Sequence, residues 1–496
     1  MKISGASNEV INVDKNKKTP SLIRASKEIL LLALTIASFN IMTVLGTLAN
    51  GVMLGKLSPL ALAAGALIVV TQTTLMMTFS APLFGMSTII SRLKGENNFS
   101  EIGCVFQQGC LYAILLSLPV ISIMGVIKSF LILLDQPPRV IELVGQYFQA
   151  YTWSVPIGML LTSIQQLALG IRENRAITSI GIIGLVTSVF VGYCLTFGKY
   201  YFPNLGVAGL GYAQVARVSI SLLIFILIFL LFKRYKSYRI FSRNHSNRIV
   251  NLKKLFSIGW PLSIHAASEF LTAFIITIFA GWMGQSQLLA QQIASQYILL
   301  LTVPILAFSQ STSILVGTSI GKNNWLEVKR YSSVGILLGL ITVAIVFLGF
   351  VLIPKALISL YIDVKIFDST QLFLILIPFL LITIASQFFE AIRSICGGAL
   401  RAFYDTRTAM YTSIFAAWGL GLPLAFVLGN KLWGITGFAI AQSIGFGCCA
   451  LILYDRLKVF IENRLLPQKH SRTLTRRAWM KLPIILHEIS PNRVDL

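Results

Sequence analysis

Acidic residues are scarce in this chain. Only 18 of its 496 residues are Asp or Glu, against 41 Lys and Arg, and charged residues together make up 12% of the sequence. Ordinary soluble proteins carry about twice that fraction. Hydrophobic residues reach 55%, and the mean hydropathy is +0.78. This composition excludes an ordinary soluble enzyme and a disordered chain, and it predicts a protein that crosses the membrane many times.

Histidine and cysteine are also rare, with four His and six Cys in the chain. The cysteines fall in or beside apolar segments without metal-ligand spacing, so we predict reduced, structural thiols. A single histidine within the membrane cannot build a zinc site, and the sequence has no G-x-x-x-x-G-K-[ST] nucleotide loop. We therefore expect no cofactor and no metal centre, and an intramembrane enzyme is the least favoured class.

Long apolar runs, in contrast, are abundant. A helix that crosses a bilayer needs about 20 mostly apolar residues. The sequence predicts twelve such spans, at approximately 29–54, 60–82, 104–134, 143–171, 176–202, 205–232, 257–284, 288–320, 331–361, 369–400, 409–430 and 433–457. The predicted fold class is therefore an all-α membrane protein with twelve transmembrane helices.

Basic residues are concentrated on one side of these spans. Of the 41 Lys and Arg, 32 fall in the two tails and the alternate loops on their side, and seven fall in the opposite loops. This distribution predicts that both termini are cytoplasmic, in an inner or plasma membrane. It also accounts for the net charge of +23 without a nucleic-acid partner. The basic segment 233–254 is interpreted first as a determinant of this orientation, with attraction to anionic membrane lipids as the alternative.

Two halves of the sequence resemble each other. GENNFSEI at 95–102 matches GKNNWLEV at 321–328, and LGVAGLGYAQ at 205–214 matches WGITGFAIAQ at 433–442. Because six spans separate the matched segments, the repeats have the same orientation in the membrane. Transporters built from such repeats bind their substrate near the membrane midplane, between the halves.

The repeat defines a domain organisation. The predicted parts are a cytoplasmic tail at 1–28, an N-lobe at 29–232, a basic linker at 233–256, a C-lobe at 257–461 and a basic cytoplasmic tail at 462–496.

Several motifs resemble those of the multidrug and toxic compound extrusion (MATE) family. They include LSPLALAAGAL at 57–67, APLFGMSTIISRLKGENN at 81–98, WPLSIHAASEF at 260–270 and GGALRAFYDTRT at 397–408. The resemblance implies two pseudo-symmetric six-helix lobes and secondary-active export of small cationic or amphipathic organic compounds, driven by H+ or Na+. The sequence offers no sign of oligomerisation, so a monomer is expected. A flippase of lipids or lipid-linked oligosaccharides, from the same superfamily, is the alternative.

Two acidic residues lie deep in predicted spans. Glu269 follows His265 by one helical turn, so both side chains share a face. A carboxyl group in a low-dielectric cavity holds a proton more tightly than one in water, as a proton-coupled carrier requires. We predict Glu269 to be the coupling residue, with Na+ as the alternative ion at Glu269 and Glu390. A protonated Glu269 that merely bonds a neighbouring group is the structural alternative.

Glu390 has Gln387 one turn before it and Arg393 one turn after it. We predict a local Glu390–Arg393 pair, in which the arginine keeps the carboxylate ionised. Glu390 would then act as a fixed counter-charge, or the pair would be structural. We include both residues and Gln387 in the predicted binding site.

The spans of the first half contain no carboxylate at the positions where the family often carries one. Asn50, in LANGVMLG at 48–55, stands where many members of the family carry an acid in the first span. The resemblance therefore implies ion coupling through the second half. Asn50 is predicted either to hydrogen-bond a substrate or to form a helix–helix contact. Gln296 is predicted either to line the cavity or to pack between helices. Arg217 lies in the sixth span without an assignable partner.

Overall fold

The computed structural model describes residues 21–133, 136–238, 240, 248–354, 369–429 and 433–465. Most of the tail predicted at 1–28, most of the tail at 462–496 and part of the linker at 233–256 lie outside these residues. The described residues are mostly helical and contain no strand. The predicted all-α class is confirmed.

Sixteen α-helices follow one another along the described residues. They are α1 Leu22–Leu57, α2 Pro59–Ser80, α3 Phe84–Gly95, α4 Phe99–Gly125, α5 Ile127–Leu133, α6 Pro138–Tyr151, α7 Ser154–Gly170, α8 Asn174–Phe197, α9 Val207–Leu231, α10 Arg248–Trp282, α11 Gln285–Gly321, α12 Trp325–Leu352, α13 Ser369–Ala402, α14 Thr406–Ile414, α15 Leu422–Leu428 and α16 Ile435–Leu465. A 3₁₀ turn at Ala81–Leu83 joins α2 to α3, and a π-helical segment at Phe415–Gly421 joins α14 to α15.

Eleven of the described helical segments are long and apolar enough to cross a membrane. The predicted fourth span at 143–171 differs, because it is divided into α6 and the shorter α7. Pro156 lies near the start of α7 and has no N–H for the helical ladder, which favours a break at this place. The hydroxyl of Thr152 donates to the Phe148 carbonyl at 2.6 Å, which stabilises the end of α6.

The first helix starts earlier than its apolar run. It begins at Leu22, and the side chain of Ser21 caps it by accepting the Arg24 backbone N–H at 3.2 Å. Hydropathy marks only the part of a helix that contacts lipid, so the polar first two turns fall within the predicted tail. The lobe boundaries at 29–232 and 257–461 remain predictions.

The helices of each half pack mainly against one another. In the first half α8 packs on α1 and α9, and α4 packs on α7. In the second half α13 packs on α11, α12 and α16. The halves meet where α1, α2 and α3 contact α10, α11 and α12. One buried apolar core runs through this junction, and a second lies within the second half.

The repeated G-x-N-N motifs lie together on one side of the membrane, which we call the loop face (residues 95–98 and 321–324). Asn97 and Asn323 both have left-handed backbones, with φ of 58° and 54°. Gly95 and Gly321 bring the halves into backbone contact: a Cβ on Gly95 would overlap the Thr318 carbonyl oxygen, and one on Gly321 would overlap that of Arg92. The matched motifs are therefore equivalent in space.

Side chains add to the contact between the halves near the loop face. The Thr88 and Ser313 hydroxyls are 2.9 Å apart, and both residues are buried. Glu28 on α1 accepts the Tyr331 hydroxyl of α12 at 2.8 Å and lies 3.7 Å from Arg172 of its own half. These bonds hold the two halves together on the loop face.

Candidate functional site

Two helices of the second half bring four ionisable side chains together inside the membrane. His265 and Glu269 lie one turn apart on α10, and Glu390 and Arg393 lie one turn apart on α13. Arg393 is nine residues from the loop-face end of α13, about 13 Å at the helical rise. We call these four residues, together with Ser413 of α14, the charged cluster.

Arg393 bridges the two carboxylates. Its Nε donates to Glu390 Oε2 at 2.7 Å and its Nη2 donates to Glu390 Oε1 at 2.8 Å. The same Nη2 donates to Oε1 of Glu269 on the neighbouring helix. A bidentate guanidinium–carboxylate pair is among the strongest hydrogen-bond arrangements in proteins. Glu390 is thus held from both oxygens and Glu269 from one.

The remaining guanidinium nitrogen contacts neutral groups. Arg393 Nη1 lies 3.0 Å from His265 Nε2 and donates to Ser413 Oγ at 3.1 Å. For Nη1 to donate to His265, the ring must be neutral, with its proton on Nδ1. With both glutamates ionised, the charged cluster carries two negative charges and one positive charge. One negative charge is therefore left without a partner inside the cluster.

The members of the cluster differ in exposure. The side chain of Arg393 is 8% exposed and that of Glu390 is 16% exposed, whereas that of Glu269 is 47% exposed. Glu269 is therefore the more exposed of the two carboxylates. Glu390 and Arg393 form its buried support.

Three other predicted site residues do not join the cluster. Gln387 is buried, its amide nitrogen lies 3.5 Å from Ser386 Oγ, and its carbonyl oxygen has no partner among the described residues. The buried Oδ1 of Asn50 likewise has no partner among the described residues. Gln296 is exposed on α11. Their predicted roles, like those of the cluster residues, stay predictions.

Sequence reasoning missed the contacts that cross between helices. Helical spacing indicated the His265–Glu269 and Glu390–Arg393 pairs, but no sequence signal paired Arg393 with Glu269. Ser413 was missed because a single hydroxyl residue in an apolar span has no distinctive pattern. Phe446 of α16, whose ring centre is 5.3 Å from the Arg393 guanidinium carbon, was missed for the same reason.

The chain is helical, spans the membrane, has two related halves and holds charged side chains inside the membrane. This combination is typical of a membrane transporter. Comparison with known proteins identifies the family to which the chain belongs. The family model MatE matches residues 35–194 and 261–427, one segment in each half. Because these segments make up more than half of the chain, the protein belongs to the MatE family. It is an integral membrane transporter and not an enzyme, and the resemblance seen in the sequence is confirmed.

Individual relatives agree with this assignment. The probable multidrug resistance protein NorM of Synechococcus sp. is 25% identical over 449 residues, covering 90% of this chain and 97% of the relative. NorM of Vibrio cholerae is 24% identical over 381 residues, covering 76% of this chain and 82% of the relative.

Solved structures show the same fold. A MATE protein in the bent conformation superposes with a TM-score of 0.81 at 18% identity, covering 92% of this chain and all of that chain (100%). A MOP superfamily transporter from Pyrococcus furiosus superposes with a TM-score of 0.78 at 18% identity, covering 91% of this chain and 100% of the other. The predicted MATE fold is therefore confirmed.

Proposed function

We propose that this protein exports small cationic or amphipathic compounds in exchange for protons by alternating access. The observation that carries the proposal is the charged cluster with its one unbalanced negative charge, held on the accessible side chain of Glu269. The names of the curated relatives, multidrug resistance proteins, support export of several compounds.

The cluster favours a proton over Na+ as the coupling ion. The Arg393 guanidinium already lies between the two carboxylates, where a metal cation would have to bind. A sodium ion there would meet a like charge at short range, which costs free energy in a medium of low dielectric. A proton on Glu269 removes the unbalanced charge without displacing Arg393.

Exchange follows from competition for the same charge. An organic cation binds while Glu269 is ionised, and protonation of Glu269 removes the attraction and releases the cation. Leaving an unpaired charge within the membrane costs about 2.5–3.5 kcal/mol, so the cluster favours being either protonated or occupied. A membrane potential of about 100 mV adds about 2.3 kcal/mol for each charge that moves. No ATP is needed.

Orientation completes the scheme. The basic loops lie on the loop face, which supports placing that face and both termini in the cytoplasm of a cell with an inner or plasma membrane. The contacts of Gly95, Gly321 and Glu28 then close the cytoplasmic side, and separation of the halves there opens the site to the cytoplasm. We propose a monomer in contact with lipids, without any cofactor beyond the coupling ion.

The test is transport by the purified protein in lipid vesicles. A pH gradient is imposed, a panel of organic cations is added, and internal pH is followed with a dye. We expect individual cations to collapse the gradient in the parent protein. Glu269→Gln should abolish the response, because its amide oxygen still accepts from Arg393 but cannot take up a proton.

A matched control separates this effect from general damage. Glu142 is exposed on α6, far along the chain from the charged cluster, and Glu142→Gln should transport normally. The proposal fails if Glu269→Gln, at equal incorporation, collapses the gradient as the parent does. Cation export driven only by a Na+ gradient would instead exclude the proton as the coupling ion.

A further inference from the structure

The first half contains a polar cavity that the proposed exchange at Glu269 does not use. It lies between α1, α2, α8 and α9, and its space for water-sized molecules is about 40 Å³, enough for a small polar group. Hydroxyl and amide side chains contribute much of its wall, and its single charged lining residue is Arg217. The charged cluster of the second half has the opposite sign. The two halves therefore present different polarity within the membrane.

Arg217 has no acidic partner among the described residues. Its Nε donates to Gln214 Oε1 at 2.7 Å, one turn earlier on α9, and no carboxylate of the described chain lies within ion-pair distance of it. A guanidinium has five N–H groups. A charged residue within a membrane is usually paired with an opposite charge or serves a ligand. Arg217 thus keeps donors and a positive charge for an incoming group.

The two neighbouring amide side chains, Gln214 and Gln72, form hydrogen bonds within the protein. Gln214 is held by Arg217 at its oxygen, and its nitrogen lies 3.4 Å from Ser188 Oγ. Gln72 accepts the Tyr147 hydroxyl at 2.7 Å through its oxygen, and its side chain also hydrogen-bonds Tyr151. Both amide oxygens are therefore occupied within the protein. The unused N–H groups of Arg217 are therefore the main donors that the wall offers to an anion.

From these contacts we propose that the Arg217 cavity binds the carboxylate of an amphipathic organic anion or zwitterion. A planar carboxylate matches the fork of a guanidinium and can accept two of its hydrogen bonds. A lipid phosphate is disfavoured, because Arg217 lies ten residues, about 15 Å, from the nearer end of α9, well inside the hydrocarbon layer. The enclosed part of the cavity suits an acidic group, with the remainder of the molecule outside it.

This site broadens the substrate class of the proposed exporter, and its role in transport rests on that proposal. A molecule with a carboxylate could be held at Arg217 in one half, whereas a cationic group is drawn to Glu269 in the other. The binding step itself requires no transport, so it can be measured independently of ion coupling.

The experiment compares three naphthalene probes that differ in charge. Calorimetry with the full chain in phosphatidylcholine nanodiscs measures binding of 1-naphthoate, neutral 1-naphthamide and the cation (1-naphthylmethyl)trimethylammonium. Charge-assisted hydrogen bonds predict that naphthoate binds about 10- to 100-fold more tightly than naphthamide in the parent protein. Arg217→Gln should remove that advantage, and Arg217→Lys should keep part of it.

A second variant guards against misfolding. Gln214→Glu keeps the size of the side chain and places a carboxylate against Arg217, so it should fold as an internal ion pair and also abolish the naphthoate advantage. Its binding of the cationic probe should be unchanged, because Glu269 is untouched. An equal affinity for naphthoate and naphthamide in the parent overturns the proposal. So does an advantage that survives in both Arg217→Gln and Gln214→Glu. Naphthoate binding without any cation binding would count against the proposed exchange and leave the anion site standing.

Discussion

The contact between Gly95 and Gly321 at the loop face allows a direct test of the proposed separation of the halves. An added methyl group at Gly95 would overlap the Thr318 carbonyl, and one at Gly321 would overlap the Arg92 carbonyl. Both obstacles are backbone atoms, so a rotamer change cannot relieve the overlap. We expect Gly95→Ala and Gly321→Ala to push the halves apart at the loop face.

The size of the effect follows from the cost of overpacking. Inserting a methyl group into a close-packed contact costs about 1–3 kcal/mol. The cost falls on the closed arrangement alone, since the overlap disappears when the halves separate. The ratio of open to closed molecules should therefore rise about 5- to 150-fold.

Labelling of a buried position reports this ratio. Ser313 is 1% exposed beside Thr88, and a cysteine placed there in a background without native cysteines should react slowly with a water-soluble maleimide. Gly321→Ala should raise the labelling rate by about the same factor as this ratio. Gly349→Ala is the matched control, because a Cβ at Gly349 meets no atom within 4 Å.

The reasoning is refuted by one result. If the cysteine at position 313 reacts at the parent rate in both Gly95→Ala and Gly321→Ala, while the unfolding temperature of each variant matches that of Gly349→Ala, the loop-face contact does not control opening.

Two further predictions concern ion pairs. Arg393→Gln leaves two adjacent carboxylates without their bridging cation and should lower the free energy of unfolding by about 3–5 kcal/mol. Glu390→Gln combined with Arg393→Gln should lower it by less. Thermal unfolding in detergent measures both variants, and equal losses of stability would contradict the bridging role. Glu28→Gln weakens the contact with Arg172 and leaves a poorer hydrogen-bond acceptor for Tyr331. The rate of maleimide labelling at the loop face should therefore rise about fivefold, equivalent to about 1 kcal/mol. An unchanged labelling rate would show that Glu28 does not restrain opening.

The sequence predicted features that follow from a single helix and its surroundings. Apolar length indicated the spans, and the G-x-N-N motifs indicated the repeat, because both signals lie in continuous segments. The pairing of Glu390 with Arg393 was also predicted, since residues three apart on a helix are neighbours. The division of the fourth span was missed, although Pro156 offered a signal, because apolar composition continues across the break.

Hydropathy and residue spacing along a single helix did not predict the contacts between helices. Arg393 bonds Glu269 across two helices that are more than 100 residues apart in the chain, and their rotation about their axes decides whether the side chains meet. Arg217 shows the same limitation: its charge was noticed, but the cavity around it is formed by four helices. Which faces of these helices meet is set by packing, which hydropathy and spacing do not determine.

Four of the residues that join the halves near the loop face are small, and this has a consequence for the entropy of the contact. Gly95, Gly321, Thr88 and Ser313 have few or no rotamers to fix, so making the contact costs little side-chain entropy. The apolar core that runs through the same junction is made of larger side chains, such as Ile90 and Leu315. In the proposed alternating access, the free energy of separating the halves therefore comes mostly from exposing this core, and the small polar contacts add little to it.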